Sequence, residues 1–208
     1  MKKIIIVILL ICSIFCASAQ EVKPKSLETS FLYLSFHVVA GNFNLPGLGV
    51  GLNYVYRCKY SAGVFYTRIG FRPKNNPNTH RPYKFGGQDP TEIMETLELL
   101  VGKVYNLNRA GTIRANLYFG AGLTVYKKAV YGRWDFRANN YPWHYEDRRL
   151  ITFIINPKIE FPFTRVWGLT FSPMLGISSQ GVFYGIGIGH MLGLVRAKKY
   201  RYYDEAHQ

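Results

Sequence analysis

The sequence predicts an all-β protein, a transmembrane up-and-down antiparallel β-barrel of eight strands behind a cleaved signal peptide, and three observations carry the prediction. The first is the stretch from Thr112 to Val130, whose two faces separate at period two. Ile113, Ala115, Leu117, Phe119, Ala121, Leu123 and Val125 alternate with Arg114, Asn116, Tyr118, Gly120, Gly122, Thr124 and Tyr126. An apolar run of about 13 positions, at ~3.3 Å per residue and ~45° tilt, spans roughly 30 Å, the thickness of a bilayer's hydrocarbon core. The second is that segments of this kind recur after residue 30 with turn signals between them, and none shows a sustained helical period. The third is that the connections alternate in length.

The chain opens with Lys2 and Lys3, an apolar run from Ile4 to Phe15, and Ala17-Ser18-Ala19 before Gln20. This is a signal peptide over residues 1–19, its apolar run being far short of the ~20 residues a membrane helix needs. Residues 20–29 form a periplasmic lead-in, 30–195 the barrel, and 196–208 a basic, aromatic periplasmic tail. Ile11 and Phe15 stand before Cys12 and Cys16 where a lipoprotein signal wants a small residue, so lipidation is not expected. Only Cys58 survives processing, which excludes an internal disulfide and a cysteine metal site.

The strands follow in order. Ser30 to Gly41 sets Leu32, Leu34, Phe36 and Val38 against Tyr33, Ser35 and His37, and Leu48 to Arg57 sets Leu48, Val50, Leu52, Tyr54 and Tyr56 against Gly49, Gly51, Asn53 and Val55. Tyr60 to Gly70 has less distinct faces, with Arg68 expected inside. Glu92 to Tyr105 turns Leu97, Leu99 and Val101 outward and Thr96, Glu98 and Gly102 inward. After the Thr112 to Val130 strand come Leu150 to Phe161, Val166 to Ile177 and Gly181 to Val195, the last alternating Ile186 and Ile188 with Gly185, Gly187 and Gly189. Cys58-Lys59, Asn106 to Gly111 and Pro162 to Arg165 are short turns, whereas Phe71 to Pro90 and Tyr131 to Arg149 are long loops. Short periplasmic turns and longer extracellular loops are how outer-membrane barrels are built.

Volume decides which face is inside. Eight strands enclose just enough room for side chains, so the many large apolar residues of one face cannot be the interior. The glycine-rich polar face lines the lumen and the oily face meets lipid. Arg57, Arg68, Glu98, Arg114, Lys158 and Glu160 are then expected to form a lumen polar network in which charges cut off from water neutralise one another. Tyr54, Tyr56, Tyr105, Phe161, Phe163 and Trp167 fall near the short turns, as an interfacial girdle requires.

On strand count, loop asymmetry and the Gly-x-Gly-x-Gly run at 185–189, the mature chain from about Ser30 to Val195 resembles the small eight-stranded outer-membrane barrels of the OmpA and OmpX type, and more particularly the barrel-domain proteins exported by Bacteroidota. The resemblance implies an outer-membrane location. One departure is that such barrels often end on an aromatic residue, whereas here Val195 is followed by a basic and tyrosine-rich segment.

The net charge of +14 loses two when the signal leaves. An exported chain meets anionic lipid head groups, including lipopolysaccharide, rather than nucleic acid. The glycines at 185–189 precede neither a helix nor an acidic partner and are not a nucleotide loop. His80, His144, Asp135, Glu146 and Asp147 lack any metal-ligand spacing. His190, on the lipid face without a Ser or carboxylate beside it, is the one candidate for a lipid A modifying enzyme. The reading adopted is a non-enzymatic monomer with no cofactor and no metal, structural or surface-binding through its loops, with an accessory role in protein export as a further alternative. Arg133, Trp134, Arg137, Tyr141, Trp143, Tyr145 and Arg148 are its expected binding surface, for a protein or for lipopolysaccharide phosphates. The tail offers a second place for a protein partner.

Overall fold

The computed structural model describes residues 30–43, 45–73, 90–108, 112–133 and 142–196. The expected signal peptide and lead-in, and all of the tail beyond Arg196, lie outside them. Eight strands, β1 (Phe31–Gly41), β2 (Leu45–Tyr56), β3 (Tyr60–Phe71), β4 (Glu92–Asn106), β5 (Arg114–Tyr131), β6 (Trp143–Phe161), β7 (Trp167–Ser178) and β8 (Gly181–Leu194), pair antiparallel in chain order. β1 closes on β8 through a register from Leu32↔Leu194 to Gly41↔Gly185, so no edge is left open. Closure is what a sheet in hydrocarbon needs, since no water is present there to satisfy a free N–H or C=O.

Alternation sets the two faces. On every strand the outward positions carry exposed or half-exposed apolar side chains, among them Leu34, Leu52, Leu99, Phe119, Phe153, Ile177 and Ile188, in a belt about 11 residues long on β5 to β8. At ~3.3 Å rise and ~45° tilt this is roughly 25 Å, the height of a transmembrane barrel's apolar band. At the short-turn end Phe163 stacks at a tilt on Trp167, with ring centroids 5.4 Å apart, and Tyr54 packs beside Tyr56 at 6.5 Å.

The lumen departs from the expected polar interior. Three apolar clusters are stacked within it: Phe31, Tyr33, Val55, Val104, Met191 and Val195 at the short-turn end, Phe65, Leu100, Tyr118 and Ile154 in the middle, and Val39, Phe43, Ile69, Met94, Met174 and Phe183 toward the long loops. Inward glycines make room for these large side chains. A Cβ on Gly51 would lie 2.1 Å from the ring of Phe65, so small wall residues and large fillers are complementary.

The two tight features at the short-turn end have local causes. Arg57 and Cys58 hold φ of 49° and 54°, and Lys59 N–H donates to Tyr56 O at 3.0 Å. Two successive left-handed residues are what a tight hairpin turn compatible with strand twist requires. Because a branched Cβ is strained there, we expect Arg57→Val to lower stability by ~1–2 kcal/mol and Arg57→Asn to preserve or raise it, read from unfolding in detergent micelles. At the other feature, Gly193 takes φ 129°, and its N–H donates to Val166 O at 2.9 Å. This turns Val195 into the barrel floor, where it is fully buried and takes the closing position that an aromatic residue often fills.

Three further expectations are corrected. Arg57 sits in the turn, exposed, with its guanidinium 5.1 Å from the Tyr56 ring centroid. Arg68 faces outward, because β3 buries Ser61, Phe65, Thr67 and Ile69. The second long loop is shorter than expected, since β5 runs to Tyr131 and β6 begins at Trp143. Residues 143–149 lack apolar alternation because they stand above the belt, where neither face meets lipid or core.

Candidate functional site

Two places concentrate chemistry: the charged lumen and the β5–β6 hairpin. In the lumen, Arg114 and Glu160 face each other across β5 and β6. Arg114 Nη2 and Nε donate to Glu160 Oε2 at 2.7 and 3.1 Å, and Nη1 donates to Val195 O at 3.0 Å. The other carboxylate oxygen accepts from the Tyr33 hydroxyl. Both charges are almost wholly buried, so the pair stands on this full set of hydrogen bonds.

Lys158 takes a different environment. Its Nζ lies 3.8 Å from the Phe65 ring centroid and 5.0 Å from that of Tyr118, and reaches Asn53 Oδ1 at 3.5 Å. The aromatic faces and the amide oxygen share the work of holding the ammonium. Glu98 accepts from Thr67 Oγ1 at 2.7 Å. Hydroxyls of Thr96, Thr124 and Thr152 join at 3.0 and 2.7 Å across three neighbouring strands. Glu98, Arg114, Lys158 and Glu160 therefore lie in the lumen with two charges of each sign, while Arg57 and Arg68 do not join them.

Sequence reasoning placed Tyr33, His37 and Asn53 on the inward face but left them out of the polar network that they join. His37 rests in a glycine cradle, where a Cβ on Gly49 would come 2.3 Å from its Nε2 and one on Gly189 2.6 Å from its own Cβ. His37 Nδ1 and Thr170 Oγ1 are buried without a hydrogen-bond partner among the described residues. Two inward glycines flanking one inward histidine across three strands were the available signal.

Above the belt, β5 and β6 continue as a two-stranded ribbon paired as far as Tyr131↔Trp143. Trp143 and Tyr145 meet edge to face with centroids 5.0 Å apart, and the Tyr145 hydroxyl donates to Thr91 O at 3.0 Å, tying the ribbon to the start of β4. Alternation places Arg148 with His144 and Glu146 on the opposite face from Trp143 and Tyr145, and its guanidinium is 3.9 Å from Glu146. Arg133 is exposed just past β5. Trp134, Arg137 and Tyr141 lie outside the described residues, as do His80 and Asp135.

At the base of the ribbon Glu95 receives Lys127 at 2.9 Å and Arg68 at 3.7 Å on the outer wall. His190, the candidate for lipid chemistry, stacks on Trp167 with centroids 6.1 Å apart at the short-turn end. That contact accounts for an imidazole on the outer face as part of the aromatic girdle.

No family model matches the sequence, and no curated protein matches it either. Among solved structures, the N-terminal β-barrel domain of Pseudomonas aeruginosa OprF aligns at 10% identity and TM-score 0.48, with 79% of this chain and 97% of that one covered. Neisserial surface protein A aligns at 9% identity and TM-score 0.47, covering 79% and 96%. Ail, the attachment invasion locus protein of Yersinia pestis, aligns at 11% identity and TM-score 0.45, covering 78% and 95%. What this chain itself shows is a closed ring of eight antiparallel strands.

Proposed function

We propose that this protein is a non-enzymatic outer-membrane barrel, exported by its signal peptide, with a filled lumen that holds no open pore and a surface-binding role carried by the β5–β6 ribbon. The observation that carries the reading is the ribbon itself, which rises past the apolar belt with Trp143 to Arg149 almost entirely exposed. Its described residues from 127 to 149 hold Lys127, Lys128, Arg133, Arg148 and Arg149 against Glu146 and Asp147. Guanidinium groups beside rigid aromatic side chains suit phosphates of lipopolysaccharide at the membrane rim. Each basic residue near an anionic surface contributes ~1 kcal/mol, so we expect Arg133→Ala/Arg148→Ala/Arg149→Ala to weaken binding to lipopolysaccharide-containing bicelles by roughly 100-fold at low salt. Titration of the refolded protein into such bicelles measures it. Unchanged affinity, or equal affinity for zwitterionic bicelles, contradicts the reading.

The lumen supports the other half. Among the described residues, apolar clusters at both ends and in the middle fill the lumen, with the Arg114–Glu160 pair and the ring-held Lys158 between them. Planar-bilayer recordings of the refolded mature chain should show no large, stable conductance of the porin kind.

A further inference from the structure

The wall of the barrel has a weak place between β6 and β7. Their ladder pairs Ile155↔Leu175 and Ile159↔Phe171 but is broken over the three positions between. By that register Pro157 stands directly opposite Pro173. Each proline keeps its place in the ladder on its other side, at Leu117↔Pro157 and Pro173↔Ile186. The missing N–H groups are therefore the two that would have crossed the β6–β7 seam, and the carbonyls they would have reached have no backbone donor opposite.

The gap lies near the middle of the apolar belt, flanked by lipid-facing Ile155, Leu175, Ile159 and Phe171. Hydrocarbon is where an unmatched carbonyl is most costly, at several kcal/mol each. On the lumen side the hydrogen bond from Ser172 Oγ to Asn156 Oδ1, at 2.6 Å, bridges the break. Next to it Met174 belongs to the apolar cluster with Phe183, whose ring lies over Gly176 closely enough that a Cβ there would come within 2.0 Å. In the adjoining layer, Thr170 Oγ1 and His37 Nδ1 have hydrogen-bonding capacity to spare.

We propose that the Pro157–Pro173 seam is a lateral entry through which an acyl chain passes from the membrane into the lumen, lying along Met174 and Phe183. The depth of the gap selects the occupant, because acyl chains are what surrounds the barrel there. Met174 is flexible and polarizable and accommodates a guest by changing rotamer. Thr170 and His37 receive the carbonyl or carboxylate carried in with the chain. The hydrogen bond between Ser172 and Asn156 is the latch. The proposal rests on the membrane placement of the oily face.

The test uses the full mature chain refolded in bilayers, with a diazirine at the chain terminus of either a free fatty acid or a phosphatidylethanolamine, and adducts mapped after irradiation. We expect adducts on Met174 or Phe183 as well as on outward Leu175 and Ile177. In Pro157→Ala/Pro173→Ala, which restores both donors and closes the ladder, the lumen adducts should fall at least tenfold while the outward ones persist. Lumen labelling by the fatty acid alone identifies a detached chain, by the phospholipid alone a chain still on its lipid, and by both either source; each supports the entry. Labelling of outward residues only, or lumen labelling unchanged in the double variant, overturns the entry and leaves the membrane placement intact. Labelling of neither face overturns both.

Discussion

Glu160→Ala is expected to destabilise the barrel by about 3–5 kcal/mol, because it leaves Arg114 charged, buried and facing apolar neighbours. The guanidinium would keep only its bond to Val195 O and its place 5.0 Å from the Phe31 ring centroid. Tyr33 would lose its acceptor as well. Replacing both charges by apolar groups of similar volume, as in Arg114→Met/Glu160→Leu, should restore most of the loss. A buried pair stabilises little relative to a hydrophobic substitute, while half of one is strongly unfavourable. Urea unfolding in lipid vesicles, followed by intrinsic fluorescence, compares the variants. A single variant as stable as the wild type would show that water reaches this layer.

Phe119→Arg should cost ~2–4 kcal/mol in a bilayer, the depth-dependent penalty for a cation on the lipid face at midplane. Phe119 is 61% exposed in the protein alone and is paired with Val101 on one side and Ile155 on the other. On a water-facing surface the same change would sit within about 0.5 kcal/mol of neutral. Arginine at Tyr131, on the same face but at the loop end of the same strand, should cost ~0–1 kcal/mol.

Most of the fold is legible in the sequence because outward positions meet one solvent, lipid, and so stay apolar at every second place along most of β1, β5, β7 and β8, Lys127 and His190 excepted. Inward positions meet one another, and their identity follows from complementary volumes across the lumen. No single strand records this. Gly51 and Phe65 look like a polar-face glycine and an unplaced aromatic until strand pairing puts them in contact. The inward Leu100, Ile154 and Met191 were invisible for the same reason.

Arg68 shows how parity fails locally. From Tyr60 to Phe71 both faces carry apolar or small residues, so a charged side chain suggested the lumen, whereas Glu95 on the neighbouring strand holds it at the outer rim. Residues 143–149 of the ribbon look like loop in the sequence because alternation signals a boundary between two solvents, and above the membrane there is only one. Of the expected surface, Trp143 and Tyr145 come together and Arg148 turns away from them.

The central claim is that the oily face meets lipid and the mixed face fills the lumen, and neighbouring residues on β5 test it most directly. In a background with Trp134, Trp143 and Trp167 replaced by Phe, a single tryptophan is introduced by Phe119→Trp or by Tyr118→Trp, and each is reconstituted in lipids brominated near the chain ends. Strong quenching of the Phe119→Trp fluorescence with little quenching of Tyr118→Trp is the expected result. Quenching of neither, or of Tyr118→Trp alone, would mean that the barrel does not present this face to the bilayer.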